Sequence, residues 1–124
     1  MRTPRSFTEP YPAPTFARMT ARSRPQPVHF DRSELDRLLQ LYGTFVAAGE
    51  WKDYAIDGLS DRAVFSVFRR TSEAPAYAVE KQPRLRNRQG QWAVVGPAGQ
   101  VLKRGHELSQ VLRVFDKQKL RLVT

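Results

Sequence analysis

Residues 61–104 decide the fold: DRAVFSVFRR, TSEAPAYAVE, KQPRLRNRQG, QWAVVGPAGQ and VLKR. In Ala63–Phe68 both alternating sets of side chains are largely apolar, which predicts a central strand covered on both faces for part of its length. Pro75 opens a second strand, Ala76–Lys81, and Pro83 closes it. Because proline cannot donate to a ladder, this reads as an edge strand or a strand end. A loop, Arg84–Gly90, follows. Gln91–Val95 and Gln100–Lys103 then flank Gly96-Pro97-Ala98-Gly99, where Pro97 suits the second position of a type I turn and Gly99 the left-handed residue after it. This hairpin is the clearest local signal in the chain.

Upstream, FDRSEL is a helix start. Asp31 can cap, Glu34 can complete a capping box, and Phe30 with Leu35 can form a hydrophobic staple. Leu35, Leu38, Leu39, Tyr42, Phe45 and Val46 recur at helical spacing and Gly49 can end the helix, so a helix over Arg32–Ala48 is expected, its stripe facing a core in preference to a dimer partner. Gly43 costs that helix about 1 kcal/mol against alanine, and close packing of another element there is the expected reason. DYAIDGL, after Trp51, suits a first strand. Downstream, Leu108, Val111, Leu112 and Phe115 predict a helix over His106–Lys117, with Glu107 favoured by the dipole in its first turn, and Leu120–Val123 suggests a short last strand. The fold class is therefore α+β: an antiparallel meander of four to five strands with an N-terminal and a C-terminal helix packed on it.

Six prolines fall within the first 27 residues, where scattered Arg, Ser and Thr supply little apolar surface to offset ordering entropy. Residues 1–27 read as a disordered tail, leaving 28–124 as one α+β domain. Phe7, Tyr11 and Phe16 between those prolines form a candidate docking motif. No apolar run approaches the roughly 20 residues a membrane helix needs, and the N-terminus lacks a secretory h-region, so a cytoplasmic protein without membrane contact is expected. Without cysteine there is neither a disulfide framework nor a thiolate metal site, and two histidines distant in sequence, His29 and His106, make no metal site.

The formal net charge of +9 is unevenly spread: +4 over residues 1–28, −4 over 29–61 and +9 over 62–124. An acidic helix ahead of a basic sheet favours an anionic partner on one side or a contact between the two halves. Catalytic patterns are wanting. GPAG is a turn and not a phosphate loop, Gly105-His106-Glu107 lacks a second histidine, and Asp53, Asp57 and Asp61 lack the ligand series of a calcium loop and read as strand-end turn acids. Neither an enzyme nor a bound cofactor is expected.

The runs LYGTFVAAGEWKDYAIDGLSDRAVFSVFRRTSEAPAYAVEKQP and KRGHELSQVLRVFDKQKLRLV resemble the bacterial domain-of-unknown-function family DUF2794, over about Val28 to Val123. The resemblance implies a small cytoplasmic bacterial protein and brings no family site residues to carry over.

The basic residues of the sheet region supply the functional expectation. Arg69, Arg70, Lys81, Arg84, Arg86, Arg88, Lys103 and Arg104 fall at strand ends or in the loop after Lys81, where several can share one edge of a meander. Such cations neutralise phosphates, and Tyr77 or Trp92 on an exposed face can stack on unpaired bases, so RNA or DNA is the expected partner. Against it stands a reading in which the cations are solubilising gatekeepers and both aromatics are core. The alternative function is a protein-interaction or regulatory adaptor that uses the first helix or the proline-rich tail and no nucleic acid.

Overall fold

A computed structural model describes residues 27–70 and 74–122. The expected tail lies outside the described residues apart from Pro27, as does Val123. The elements are α1 (Arg32–Ala47), β1 (Asp53–Gly58), β2 (Ala63–Phe68), β3 (Tyr77–Lys81), a 3-10 turn (Pro83–Leu85), β4 (Trp92–Val95), β5 (Val101–Gly105), α2 (Leu108–Val111), a second 3-10 turn (Leu112–Phe115) and α3 (Asp116–Leu122). The strands form one antiparallel sheet in the order β1-β2-β3-β4-β5. This is the expected α+β meander.

The start of α1 follows from its cap. The Asp31 carboxylate accepts the Glu34 amide at 2.8 Å, and the Glu34 carboxylate accepts the Asp31 amide at 2.8 Å, which satisfies two of the donors that a helix start leaves open. The Glu34 amide first, then the Ser33 hydroxyl, hold the Asp31 carboxyl below its usual range. Gly49 ends the helix at φ 78°. The staple aromatic Phe30 stacks on Trp92, with centroids 6.1 Å apart, and so ties the helix entry to β4.

Leu38, Leu41 and Phe45 of α1 meet Phe65, Val67, Val79, Trp92 and Val94 of the sheet and Leu108, Val111, Leu112 and Phe115 of the C-terminal turns in one core. At its centre lies Trp51, 2 % exposed, stacked on Phe45 at 4.4 Å and edge-on to Phe115 at 5.5 Å. Offset and edge contacts of this kind add to area burial. Both helical regions thus cover the face that carries Phe65, Val79 and Trp92. The opposite face is built from Val64, Ser66, Ala78 and Ala93, of which Ser66 and Ala93 are buried.

Of the two readings of the prolines beside β3 the strand-end one holds: β3 is the central strand, and Pro75 and Pro83 stand just outside its ends, where no ladder donor is missed. The structure corrects three local expectations. The single C-terminal helix is broken into α2, a 3-10 turn and α3. The short last strand is helix instead: Leu120–Leu122 are the last residues of α3, with Leu120 66 % exposed and no ladder beside it. Gly43 is not a close-packing site either, since a Cβ built there meets nothing within 4 Å.

Phe65 is 1 % exposed, and Phe65→Ala is expected to cost about 3–5 kcal/mol through the cavity it leaves. Gly43→Ala should stabilise by about 0.5–1 kcal/mol, because only the backbone entropy of glycine changes. Asp31→Ala should destabilise above the carboxylate range and lose that effect as pH falls through the lowered folded pKa, where the cap is already protonated. Urea midpoints of the three variants, taken at neutral and acid pH, check these signs.

Candidate nucleic-acid interface

Antiparallel pairing gathers the ends of β1, β3 and β5 with the starts of β2 and β4 at one end of the sheet, and the reverse set at the other. Lys81, Arg84, Arg86, Arg88 and Arg104 belong to the first end. Arg69 and Arg70 follow the last residue of β2 at the second, about 17 Å away at roughly 3.3 Å per residue of strand. There the Arg69 guanidinium lies 5.9 Å from the centroid of the Tyr77 ring. Lys103 pairs with Val94 on the open edge of the sheet. The eight cations therefore do not form one surface.

Lys81 is withdrawn from solvent by structure. Its ammonium donates to Glu34 Oε1 at 2.6 Å and to the His29 carbonyl at 3.0 Å, and it lies 5.8 Å from the Trp92 ring centroid. With two of its three donors engaged and its side chain only 14 % exposed, this cation clamps the start of α1 to the end of β3 and is poorly placed for a ligand. Sequence reasoning also passed over Arg62. It bridges Asp61 at 3.2 Å and Glu80 at 3.0 Å, while Gln82 donates to Glu80 at 3.1 Å. Hydrogen bonding from Arg62 holds the Asp61 carboxyl below its usual range. This network fixes the chain just before Arg84, whose guanidinium is 3.7 Å from Asp61 and remains 68 % exposed.

The turn carrying Arg84, Arg86 and Arg88 is locked against the end of β5. Gly90, at φ 103°, comes so close to Gly105 that a Cβ would stand 2.3 Å from the Gly105 carbonyl oxygen, a conformation and an approach that only glycine permits. Arg104 Nη1 donates to the Gly90 carbonyl at 3.3 Å, and His106 Nδ1 lies 3.2 Å from the Arg86 carbonyl. The Leu85 carbonyl accepts from both Arg88 and Gly90. Arg86 and Arg88 are exposed, and neither side chain makes an ion pair among the described residues. Arg84, Arg86 and Arg88 thus stand exposed on a fixed ridge, with half-buried Arg104 set against it.

The stacking platform expected of Tyr77 and Trp92 is absent. Trp92 is 3 % exposed and covered by Phe30. Tyr77 packs edge-on against Phe115 at 5.1 Å, and its hydroxyl accepts from Gln118 at 3.2 Å. Both lie on the helix-covered face, where the core claims their area. A two-residue alternation cannot say which face the helices take, so the sequence alone left them available.

The sequence profile of the family described as protein of unknown function (DUF2794) matches residues 28–112. The chain belongs to the DUF2794 family. No curated protein and no solved structure matches the chain. The matched span of this DUF2794 chain takes in α1, the whole sheet with its basic turn, and α2, so the Lys81 clamp and the ridge both lie inside it. Among the described residues no cluster of three metal-ligating side chains occurs, and no helix is long and apolar enough to cross a membrane.

Lys81→Ala should cost about 1.5–3 kcal/mol, the range for hydrogen bonds to charged groups, because it leaves Glu34 part-buried and unpaired. Arg86→Ala and Arg88→Ala should stay within about 0.5 kcal/mol of the parent. Equal losses from chemical denaturation across all three would place the turn arginines in the scaffold and remove them from the ridge.

Proposed function

We propose that this DUF2794 domain is a non-catalytic, cytoplasmic module that binds the phosphate backbone of RNA or DNA through Arg84, Arg86, Arg88 and Arg104. The observation that carries the reading is the locked turn. Arg86 and Arg88, exposed and without an ion pair among the described residues, and Arg84, 68 % exposed beside Asp61, are held at fixed positions with Arg104 set against the same turn, so they follow a chain of phosphates without the ordering cost that a flexible segment incurs. With Tyr77 and Trp92 in the core, no Phe, Tyr or Trp among the described residues joins the ridge to read bases, so binding is to the backbone and tolerant of sequence. The alternative, a protein-interaction adaptor, has its own support in the exposed Val46, Tyr54, Ile56 and Leu59 on α1 and around the open edge strand β1.

Salt titrations of a chain truncated before Val28 separate the two. Each phosphate neutralised contributes about 0.7 to 0.9 to the slope of log affinity against log salt. Replacing Arg84, Arg86 and Arg88 together by alanine should lower that slope by about 2 and leave thermal stability nearly unchanged. Affinity no tighter than roughly 10⁻⁴ M for single- and double-stranded probes at physiological salt would remove the nucleic-acid reading in favour of the adaptor.

A further inference from the structure

A cleft of about 370 Å³ opens between α1 and the C-terminal helical turns, and none of the strand-end cations lines it. On α1, Arg37, Gln40, Leu41 and Thr44 share one face by their helical spacing. Opposite them stand Arg113 from the second 3-10 turn and Lys119 from α3, with Asp116 between. Leu41 and Leu112, both buried, form the floor. Three cations from three separate elements converge on this concavity. None of their side chains makes an ion pair or hydrogen bond among the described residues, although Asp116 lines the same cleft.

We propose that this cleft is a binding site for a small phosphorylated ligand that also carries hydroxyl groups, of the sugar-phosphate class. Like charges gathered around a hollow repel one another, and a compact multivalent anion relieves that repulsion at once. Two guanidiniums offer paired donors that match phosphoryl oxygens, and the lysine adds a point charge. Asp116 tells against a purely anionic ligand and favours one whose hydroxyl it can accept, with Gln40 as a further polar partner. No aromatic side chain among the described residues lines the cleft, so nothing there stacks a nucleobase. The volume falls within the range of small-molecule pockets. This site is independent of the ridge, since it shares none of its four arginines.

Isothermal titration of the full chain with inorganic pyrophosphate and with ribose 5-phosphate tests the proposal. Both probes should bind one per chain with submillimolar affinity. Arg37→Ala and Arg113→Ala should each weaken both at least tenfold, and Arg113→Lys should restore part of the loss. The double variant Arg86→Ala, Arg88→Ala should change affinity less than twofold. Asp116→Asn should tighten pyrophosphate while weakening ribose 5-phosphate. Circular dichroism confirms that each variant is folded, as expected for residues at the surface. Absence of saturable binding up to millimolar probe, or equal loss in the ridge variant, overturns the cleft as a site. Equal responses of the two probes to Asp116→Asn overturn the assignment of a hydroxyl-bearing ligand.

Discussion

The contact on which the basic turn and the proposed binding surface depend is the approach of Gly90 to Gly105. A side chain on Gly90 would meet the Gly105 carbonyl, and one on Gly105 would stand 2.8 Å from Gln110 Oε1 and 3.3 Å from Val111 Cγ1. Two glycines therefore stack three layers: the basic turn, the end of β5 and the last residues of α2. Arg104 and His106 add their hydrogen bonds to the carbonyls of that turn. Without this seam the arginines after Lys81 would sit on a loose loop, and their charge would act only as a diffuse field.

Charge polarity in the chain has a structural use. The acidic first helix and the basic sheet meet in the Glu34–Lys81 pair, whose side chains are 18 % and 14 % exposed. Removal from water makes such a pair sensitive to loss of either partner, whatever its net contribution. A second neutralisation, Asp61–Arg62–Glu80, occupies the same end of the sheet. Among the described cations left without an ion pair, Arg86 and Arg88 stand on the ridge and Arg37, Arg113 and Lys119 around the cleft between helices, while Lys103 lies on the open sheet edge. A net charge says nothing about that partition.

Much of the fold was legible because its signals are local. The capping box of Asp31 and Glu34, the left-handed Gly49 and Gly99, and the Gly96–Gly99 turn each act over a few residues, and each formed as its chemistry predicts. What was not legible depends on distant partners. Lys81 looked like a free strand-end cation because Glu34 is 47 residues away. Trp92 looked like an exposed platform because Phe30 and the helices cover it only in the folded chain. The Arg37–Arg113–Lys119 cleft draws on residues 76 and more positions apart in part of its rim, and no spacing rule reaches that far. Gly43 misled in the opposite sense, since a residue of high backbone entropy there has no packing reason among the described residues.

In the proposed function, fixing the arginines, and not only possessing them, creates the binding surface. The most direct test is the affinity of Gly90→Ala for a polynucleotide, measured alongside its circular dichroism at a temperature where the sheet stays folded. This variant keeps every charge and strains only the seam. Weaker binding and a shallower salt slope, with the fold retained, are expected. Wild-type affinity and slope in a folded Gly90→Ala chain would contradict that reading, because diffuse charge would then suffice.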